Sequence, residues 1–327
     1  MIISKTPYRI SFFGGGTDYP EWFEKNYGEV LNCTIDKHIY LTCRKLPNFF
    51  KHKYRVVYSN IELCKEIKNI KHPAIKFALQ KYYRKKNGLE IHYDGDLPSR
   101  SGMGSSSSFV VGLINILYKI NGLNIDKKNL SKKSIVFEQS ILNETVGSQD
   151  QISASFGGFN SIIFRKRGDF LVKKFLNINQ MHKLSKNLVL IYTGKQRTAK
   201  HIAKSYVSKL SRSKEREMYA ILNQVNSAKK YLKNNDLDSF GDLLNENWMI
   251  KRELSNKVTN SKINEIYKIA IDSGALGGKL LGAGGGGFLL FYIKSKNLKI
   301  LKRKLYKLTF VDFNLSNDCS KIIYETK

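Results

Sequence analysis

The stretch LPSRSGMGSSSSFVVGLINILYKI, residues 97–120, restricts this chain more than any other. Four consecutive serines, Ser105 to Ser108, run directly into an apolar segment. Within it Phe109, Leu113, Ile116, Leu117 and Ile120 recur at offsets 0, 4, 7, 8 and 11. That is one face of a 3.6-residue period, so a buried helix is predicted to begin at the serines. One serine hydroxyl is enough to cap a helix. Four of them behind Gly102 and Gly104 gather backbone N–H groups, hydroxyls and the positive end of the helix dipole in one open space. Such a space suits an anion, most often phosphate. The plain reading of the same residues is a flexible loop with an ordinary cap, and the remainder of the chain has to separate the two.

A length of 327 residues accommodates two domains. A hydrophobic content of 42% describes a globular chain. No run approaches the roughly 20 apolar residues that span a bilayer, so no membrane partner is expected. The N-terminal MIISKTPYRISFF lacks the layout of a signal peptide. Cys33, Cys43, Cys64 and Cys319 show no CxxC spacing and read as reduced thiols of a cytoplasmic protein. The formal charge of +29 invites a nucleic-acid reading. The lysines, however, are spread over almost every segment beside asparagine and isoleucine, and no nucleic-acid-binding signature is present. The expectation is therefore no nucleic acid, with the field free to steer a small anionic substrate.

Strands are predicted at 8–13, 29–43, 54–58, 89–95, 157–164 and 187–194, and helices at 73–86, after the serine loop, and at 127–143. A long helical stretch covers 198–252, and another helix over 262–273 stops at Gly274. KLLGAGGGGFLLFYI reads as two short strands around a glycine turn. A helix over 295–307 and two further strands close the chain. The change from mixed to mainly helical text places a boundary near 185, giving domains 1–185 and 186–327. GAGGGG at 282–287 formally satisfies GxGxxG, but a strand follows it where a dinucleotide site needs a helix. No Walker A pattern is present.

Three motifs, taken together, carry a family resemblance. LPSRSGMGSSSS resembles the phosphate loop of the GHMP kinases, which include galactokinase, homoserine kinase, mevalonate kinase and phosphomevalonate kinase. KLLGAGGGGFLLF resembles their C-terminal glycine motif, and PYRISFFGGGTDY at 7–19 their N-terminal motif in the sugar-kinase branch. The resemblance implies an α+β fold in two domains. The first would contain an unusual left-handed βαβ crossover, as in certain ribosomal proteins, and the second would be ferredoxin-like. It also implies ATP and Mg²⁺ as cofactors. Ser101, Gly102, Met103, Gly104, Ser105, Ser106 and Ser107 would then cradle the nucleotide phosphates.

The remaining site assignments follow from the same likeness. Asp150, in VGSQDQ, is the candidate catalytic acid, and Arg9 its neighbour at the acceptor hydroxyl. Glu138, 12 residues before Asp150, would hold the metal with Ser106. Ser105 is an alternative to Ser106, and Glu144 a rival to Glu138. A carboxylate and a hydroxyl suit a hard octahedral cation. Gly15, Gly16, Thr17 and Asp18 would meet the acceptor. Sugar kinases of the galactokinase type carry Glu-His where Gly15-Gly16 stand here, and a carboxylate there would repel a phosphorylated sugar. At 4 Å and an effective dielectric near 20 that repulsion is roughly 4 kcal/mol. GGGTDYP, SGMGSSSS and VGSQDQ occurring together resemble the branch of the family acting on a heptose 7-phosphate, with transfer to O1. Lys195 and Arg197, following a predicted strand, are the candidate counter-charges for that phosphate. The rival readings are a kinase for an unphosphorylated fucose- or galactose-type sugar, and a nucleic-acid or regulatory binder on a kinase-like fold. A homodimer stays open.

Overall fold

The computed structural model of the chain describes residues 1–194 and 199–326. β1 (Ile2–Phe13), the short helix α1 (Pro20–Phe23) and β2 (Gly28–Leu46) come first. The hairpin of β3 (Tyr54–Val57) and β4 (Ile61–Cys64) is followed by α2 (Pro73–Tyr82) and β5 (Gly88–Gly95). α3 (Ser105–Ile120), α4 (Lys127–Val136) and α5 (Gln149–Phe156) lead into β6 (Phe159–Phe164), β7 (Phe170–Lys174) and α6 (Ile178–Ser185). The chain then enters a second sheet at β8 (Leu188–Tyr192). It continues through α7 (Ala199–Lys204), α8 (Glu215–Lys233), α9 (Leu237–Arg252) and α10 (Ser261–Ile271). β9 (Ala275–Leu280), β10 (Phe288–Ile293), α11 (Ser295–Lys304) and β11 (Thr309–Val311) complete that half, and β12 (Leu315–Ser316) and β13 (Lys321–Glu325) end the chain.

Among the described residues, nine strands form the first sheet, with the path β13-β1-β2-β5-β3-β4. β2 is 19 residues long and serves β6 with its first part and β5 with its second. β3 and β5 pair in parallel across the connection that contains α2. The second sheet runs β11-β8-β10-β9, all antiparallel, with helices after its first and third strands. That is the ferredoxin-like β-α-β-β-α-β succession the family resemblance implies. Among the described residues its first crossover carries four helices, α7 to α10, where that succession has one.

Residues 315–325 differ from the sequence expectation. They follow the second sheet in the chain but pair with the first, β12 on β2 and β13 on β1. The edge of β1 left free by β2 offers unpaired N–H and C=O groups, and β13 takes them. The helix expected over 73–86 ends at Tyr82, where Tyr83 turns extended and only lysine, arginine and asparagine precede Gly88. The helix expected over 127–143 becomes α4 plus a π-helical turn at Phe137–Ile141.

The two halves share one core. Phe12 and Phe13 of β1 meet Phe240 of α9 edge-on, with ring centroids 5.7 and 5.3 Å apart. On the same joint the buried Lys279 of β9 donates to Phe12 O at 2.6 Å and to Asn247 Oδ1 of α9 at 2.7 Å. All four cysteines are free. No helix among the described residues is long and apolar enough to cross a membrane.

Candidate active site

The serine loop is held against β1. Where β1 and β2 lose register between Pro7 and Arg9, the backbone N–H of Arg9 turns to Met103 O at 3.1 Å. Ser108 Oγ donates to Pro7 O at 2.8 Å. Behind the loop lies the second glycine motif. A Cβ on Gly102 would stand 2.5 Å from Leu281 O, and one on Gly282 would stand 2.6 Å from Gly102 Cα. Both glycines also have positive φ, 84° and 70°. The glycines of GAGGGG thus let two backbones touch, and their sequence signal is one of packing.

Of the residues expected to cradle phosphate, most can offer only backbone. Ser101 is buried with its hydroxyl on Pro98 O, Met103 is buried, and Ser105 Oγ accepts from Arg100 N. Ser107 is buried, donating to Glu138 Oε2 at 2.6 Å. Ser106 alone of these serines is exposed, and it donates to Glu138 Oε1 at 2.9 Å. Gly104, with φ 74°, is the N-cap of α3. A Cβ there would come within 3.3 Å of Arg9 Cγ and 3.4 Å of Asp150 Oδ2, so glycine keeps the approach to that pair open. The first N–H groups of α3 have no intrahelical acceptor and face this space.

Arg9 and Asp150 meet in a forked ion pair beside it. Nε donates to Oδ1 at 2.7 Å and Nη2 to Oδ2 at 2.8 Å, while Nη1 reaches Gly102 O at 2.9 Å. The guanidinium thereby joins the acid to the phosphate loop. Asp150 stands in the first turn of α5, a helix the sequence reading did not foresee because its VGSQDQ start lacks an apolar period.

Glu138 sits in the π-helical turn, fully buried. Burial pushes its carboxyl up to about 7, with Asp150 adding to the effect, against bonds from Ser107, Gln151 and Ser106. Gln151 Nε2 donates to Oε2 at 2.5 Å. A π turn inside a helix is frequent at functional sites, and here it sets Glu138 facing the serines. Among the described residues no cluster of three His, Cys, Asp or Glu side chains could hold a metal. Ser106 Oγ and Glu138 Oε1 are nonetheless adjacent hard oxygens, a donor pair that fits Mg²⁺ when substrate oxygens and water complete the shell. The rival Glu144 follows the same turn, its N–H donating to Glu138 O at 2.9 Å.

The GGGTD loop is built around Asp18. Its Oδ1 accepts from Gly16 N at 2.9 Å and its Oδ2 from Gln149 N at 3.4 Å, while Ser148 N donates to Asp18 O. The loop is thereby tied to the start of α5. Burial, with Asp150 nearby, raises the Asp18 carboxyl to about 6. Gly147 has no room for a side chain because that carboxylate fills the place. Thr17 is fully buried with its hydroxyl among Gly14 O, Glu29 O and Glu29 N, so it shapes the turn. Gly15 does leave space, its nearest neighbours being Ser11 Oγ and Gln149 Nε2 at 3.6 and 3.9 Å from a built Cβ. Gly16 leaves none. Met218 of α8 already covers it at 3.2 Å, and its φ of 109° accounts for the glycine. Lys195 and Arg197 lie outside the described residues; Thr193, two residues before Lys195, bonds Gly287 O through its N–H and hydroxyl, each at 2.9 Å.

Sequence reasoning missed Gln151, Gly147 and, on α9, Lys251. Lys251 Nζ donates to Leu280 O at 3.0 Å and Gly282 O at 2.5 Å, on the back of the glycine loop. No motif marks it, and only the packing of α9 against β9 brings it here.

A helix N-terminus lined with serine, a buried carboxylate beside it and an aspartate locked by arginine define a phosphotransferase site on a two-domain α+β fold. Residues 67–158 match the GHMP kinases N terminal domain and residues 228–308 the GHMP kinases C terminal domain. The chain belongs to the GHMP kinases, which are ATP-dependent kinases of sugars and other small metabolites. It is 31% identical over 316 residues to the D-glycero-alpha-D-manno-heptose 7-phosphate kinase of Campylobacter jejuni, covering 92% of each chain. It is 26% identical to the galactokinase of Pyrococcus furiosus, covering 92% of this chain and 91% of the other. Its fold matches the crystal structure of a D-glycero-D-manno-heptose 1-phosphate kinase from Bacteroides thetaiotaomicron with a TM-score of 0.81, at 20% identity and full coverage of both chains.

Proposed function

We propose that this kinase transfers the γ-phosphoryl group of ATP to O1 of D-glycero-D-manno-heptose 7-phosphate, giving the 1,7-bisphosphate for nucleotide-activated heptose synthesis in the cytoplasm. The observation that carries the reading is the Arg9–Asp150 fork at the open end of α3. It puts a fixed carboxylate beside the phosphate loop, where an acceptor hydroxyl must lie to reach a phosphoryl group held there. The name of the Campylobacter jejuni relative supplies the acceptor. The open space at Gly15, where sugar kinases of the galactokinase type carry glutamate, supports a longer and anionic one.

In this mechanism the N–H groups of Ser105 to Ser107 and the α3 dipole hold the transferring phosphates. Asp150 takes the proton of the anomeric hydroxyl, and Arg9 keeps both carboxylate oxygens oriented. Ser106 and Glu138 would hold Mg²⁺, which neutralises charge on the triphosphate when bound. Asp18 and Thr17 act by fixing the shape of the acceptor loop. Lys195 and Arg197 remain the proposed counter-charges for the phosphate of the acceptor.

A panel of acceptors tests this directly. Purified protein with ATP and Mg²⁺ is expected to turn over the heptose 7-phosphate in preference to unphosphorylated heptose, galactose and fucose. Phosphorus NMR of the product should place the new phosphate on the anomeric carbon. Preferred turnover of an unphosphorylated sugar, or a product phosphorylated elsewhere, would overturn the reading.

A further inference from the structure

Buried polar groups of folded chains are nearly always hydrogen-bonded, and one left without a partner destabilises the fold unless a ligand meets it. Ser11 Oγ of β1, Asn32 Nδ2 of β2 and Gln149 Oε1 of α5 have no hydrogen-bond partner among the described residues. The three residues are 8%, 0% and 7% exposed. They are also neighbours. Ser11 and Asn32 face each other across β1 and β2. Ser153, one turn after Gln149 on the same face of α5, donates to Asn32 Oδ1 at 3.3 Å.

The place where they gather is Gly15. A Cβ built on that glycine would meet Ser11 Oγ at 3.6 Å and Gln149 Nε2 at 3.9 Å, both ordinary contacts. Gly14 and Gly16 have positive φ, 81° and 109°, which accounts for a glycine at each, and Gly15 does not. Neither backbone nor packing therefore requires glycine at that position. What the missing side chain provides is space, bordered by a hydroxyl and an amide. That space lies close to the chemistry, because Gln149 precedes Asp150 and its backbone N–H holds Asp18 Oδ2 at 3.4 Å. A serine hydroxyl and a glutamine amide each donate and accept. A sugar hydroxyl matches both, since it does the same. A phosphate dianion has no proton to give the Gln149 oxygen.

We infer that Ser11 and Gln149 are specificity-determining residues that bond hydroxyls of the acceptor sugar over Gly15. This rests on a sugar being the acceptor at Asp150, as proposed above, and assigns what holds the sugar itself, apart from the counter-charges for its phosphate.

The test measures kcat and KM for heptose 7-phosphate and its monodeoxy analogues in wild type, Ser11→Ala and Gln149→Leu. Should wild type prefer another sugar, the proposed acceptor falls and the same series is run on the preferred sugar, so the two failures stay distinct. A wild type that phosphorylates no sugar overturns both. Each substitution is expected to lower kcat/KM for the sugar roughly two- to tenfold, the loss of one neutral hydrogen bond. KM for ATP should stay within about twofold. The loss should vanish for the monodeoxy analogue that lacks the bonded hydroxyl and persist for the others. Gly15→Ala, whose methyl fills the space without a clash, should weaken sugar binding and spare ATP. Since the Ser11 hydroxyl holds nothing in the protein, Ser11→Ala should melt no lower than wild type. A lower melting temperature, or failure of either variant to fold, would make the side chain structural. Losses equal for every analogue would leave the pair only shaping the pocket, a raised KM for ATP would place it on the donor, and unchanged kinetics would leave it idle. Each of these overturns the inference.

Discussion

Asp150 has both carboxylate oxygens engaged by a single guanidinium, and the same guanidinium reaches the carbonyl of Gly102. Replacing it by asparagine keeps the shape and removes the basic oxygen, so Asp150→Asn is expected to fold and to bind ATP while turnover falls by roughly 10²–10⁴. Single-turnover kinetics beside a nucleotide-binding titration check this, and near-normal turnover would exclude Asp150 as the base. At this scale a residue's type was legible and its partner less so. Asp150, Arg9, Glu138 and Ser106 could be named from motif positions, and all four lie around one space. That Thr17 is consumed by the turn, that Met218 stands over Gly16, and that Lys251 reaches the glycine loop depend on how the chain packs, and no motif announces them.

Two elements do more than their sequence patterns announce. The segment after α4 has ordinary helix composition, yet it widens into a π turn, and that one inserted residue turns Glu138 toward the serines of α3. The last strands are the other case. Asp318, between β12 and β13, accepts from Lys5 of β1, His38 of β2 and Lys321, at 3.3, 2.9 and 3.0 Å. Burial pushes its carboxyl up, but bonds from Lys321 and Lys5 outweigh that and hold it at about 2. A depressed acid stabilises the fold above its unfolded pKa, near 3.9, and loses that stability as pH falls toward the folded value. Asp318→Asn should therefore cost about 1 kcal/mol at pH 7, a figure discounted because the side chain is 29% exposed. The cost should shrink as pH drops from about 4 toward 2. Urea midpoints of both proteins across that range decide it; a difference independent of pH would mean that the ion pairs do not anchor the C-terminus.

Over the whole molecule, a net charge of +29 surrounds a site that takes anions. Steering by such a field is screened by salt, with a Debye length of about 10 Å at 0.1 M. With ATP saturating, kcat/KM for the sugar phosphate should fall roughly tenfold between 20 and 500 mM salt, while kcat holds and an unphosphorylated sugar responds much less. Stopped or coupled assays over a salt series measure it, and parallel slopes for the two sugars would remove steering from the account. The apolar period of α3, the glycines flanking it and the composition of a reduced globular chain were set by the sequence alone, because helix period, backbone freedom and solubility are local or summed properties. The return of β13 to β1, the contact of Gly102 with Gly282 and the position of Met218 over Gly16 were decided by the tertiary structure. Each joins segments more than a hundred residues apart, and the contact of Phe12 and Phe13 of β1 with Phe240 of α9 holds the two halves of the chain together in the same way.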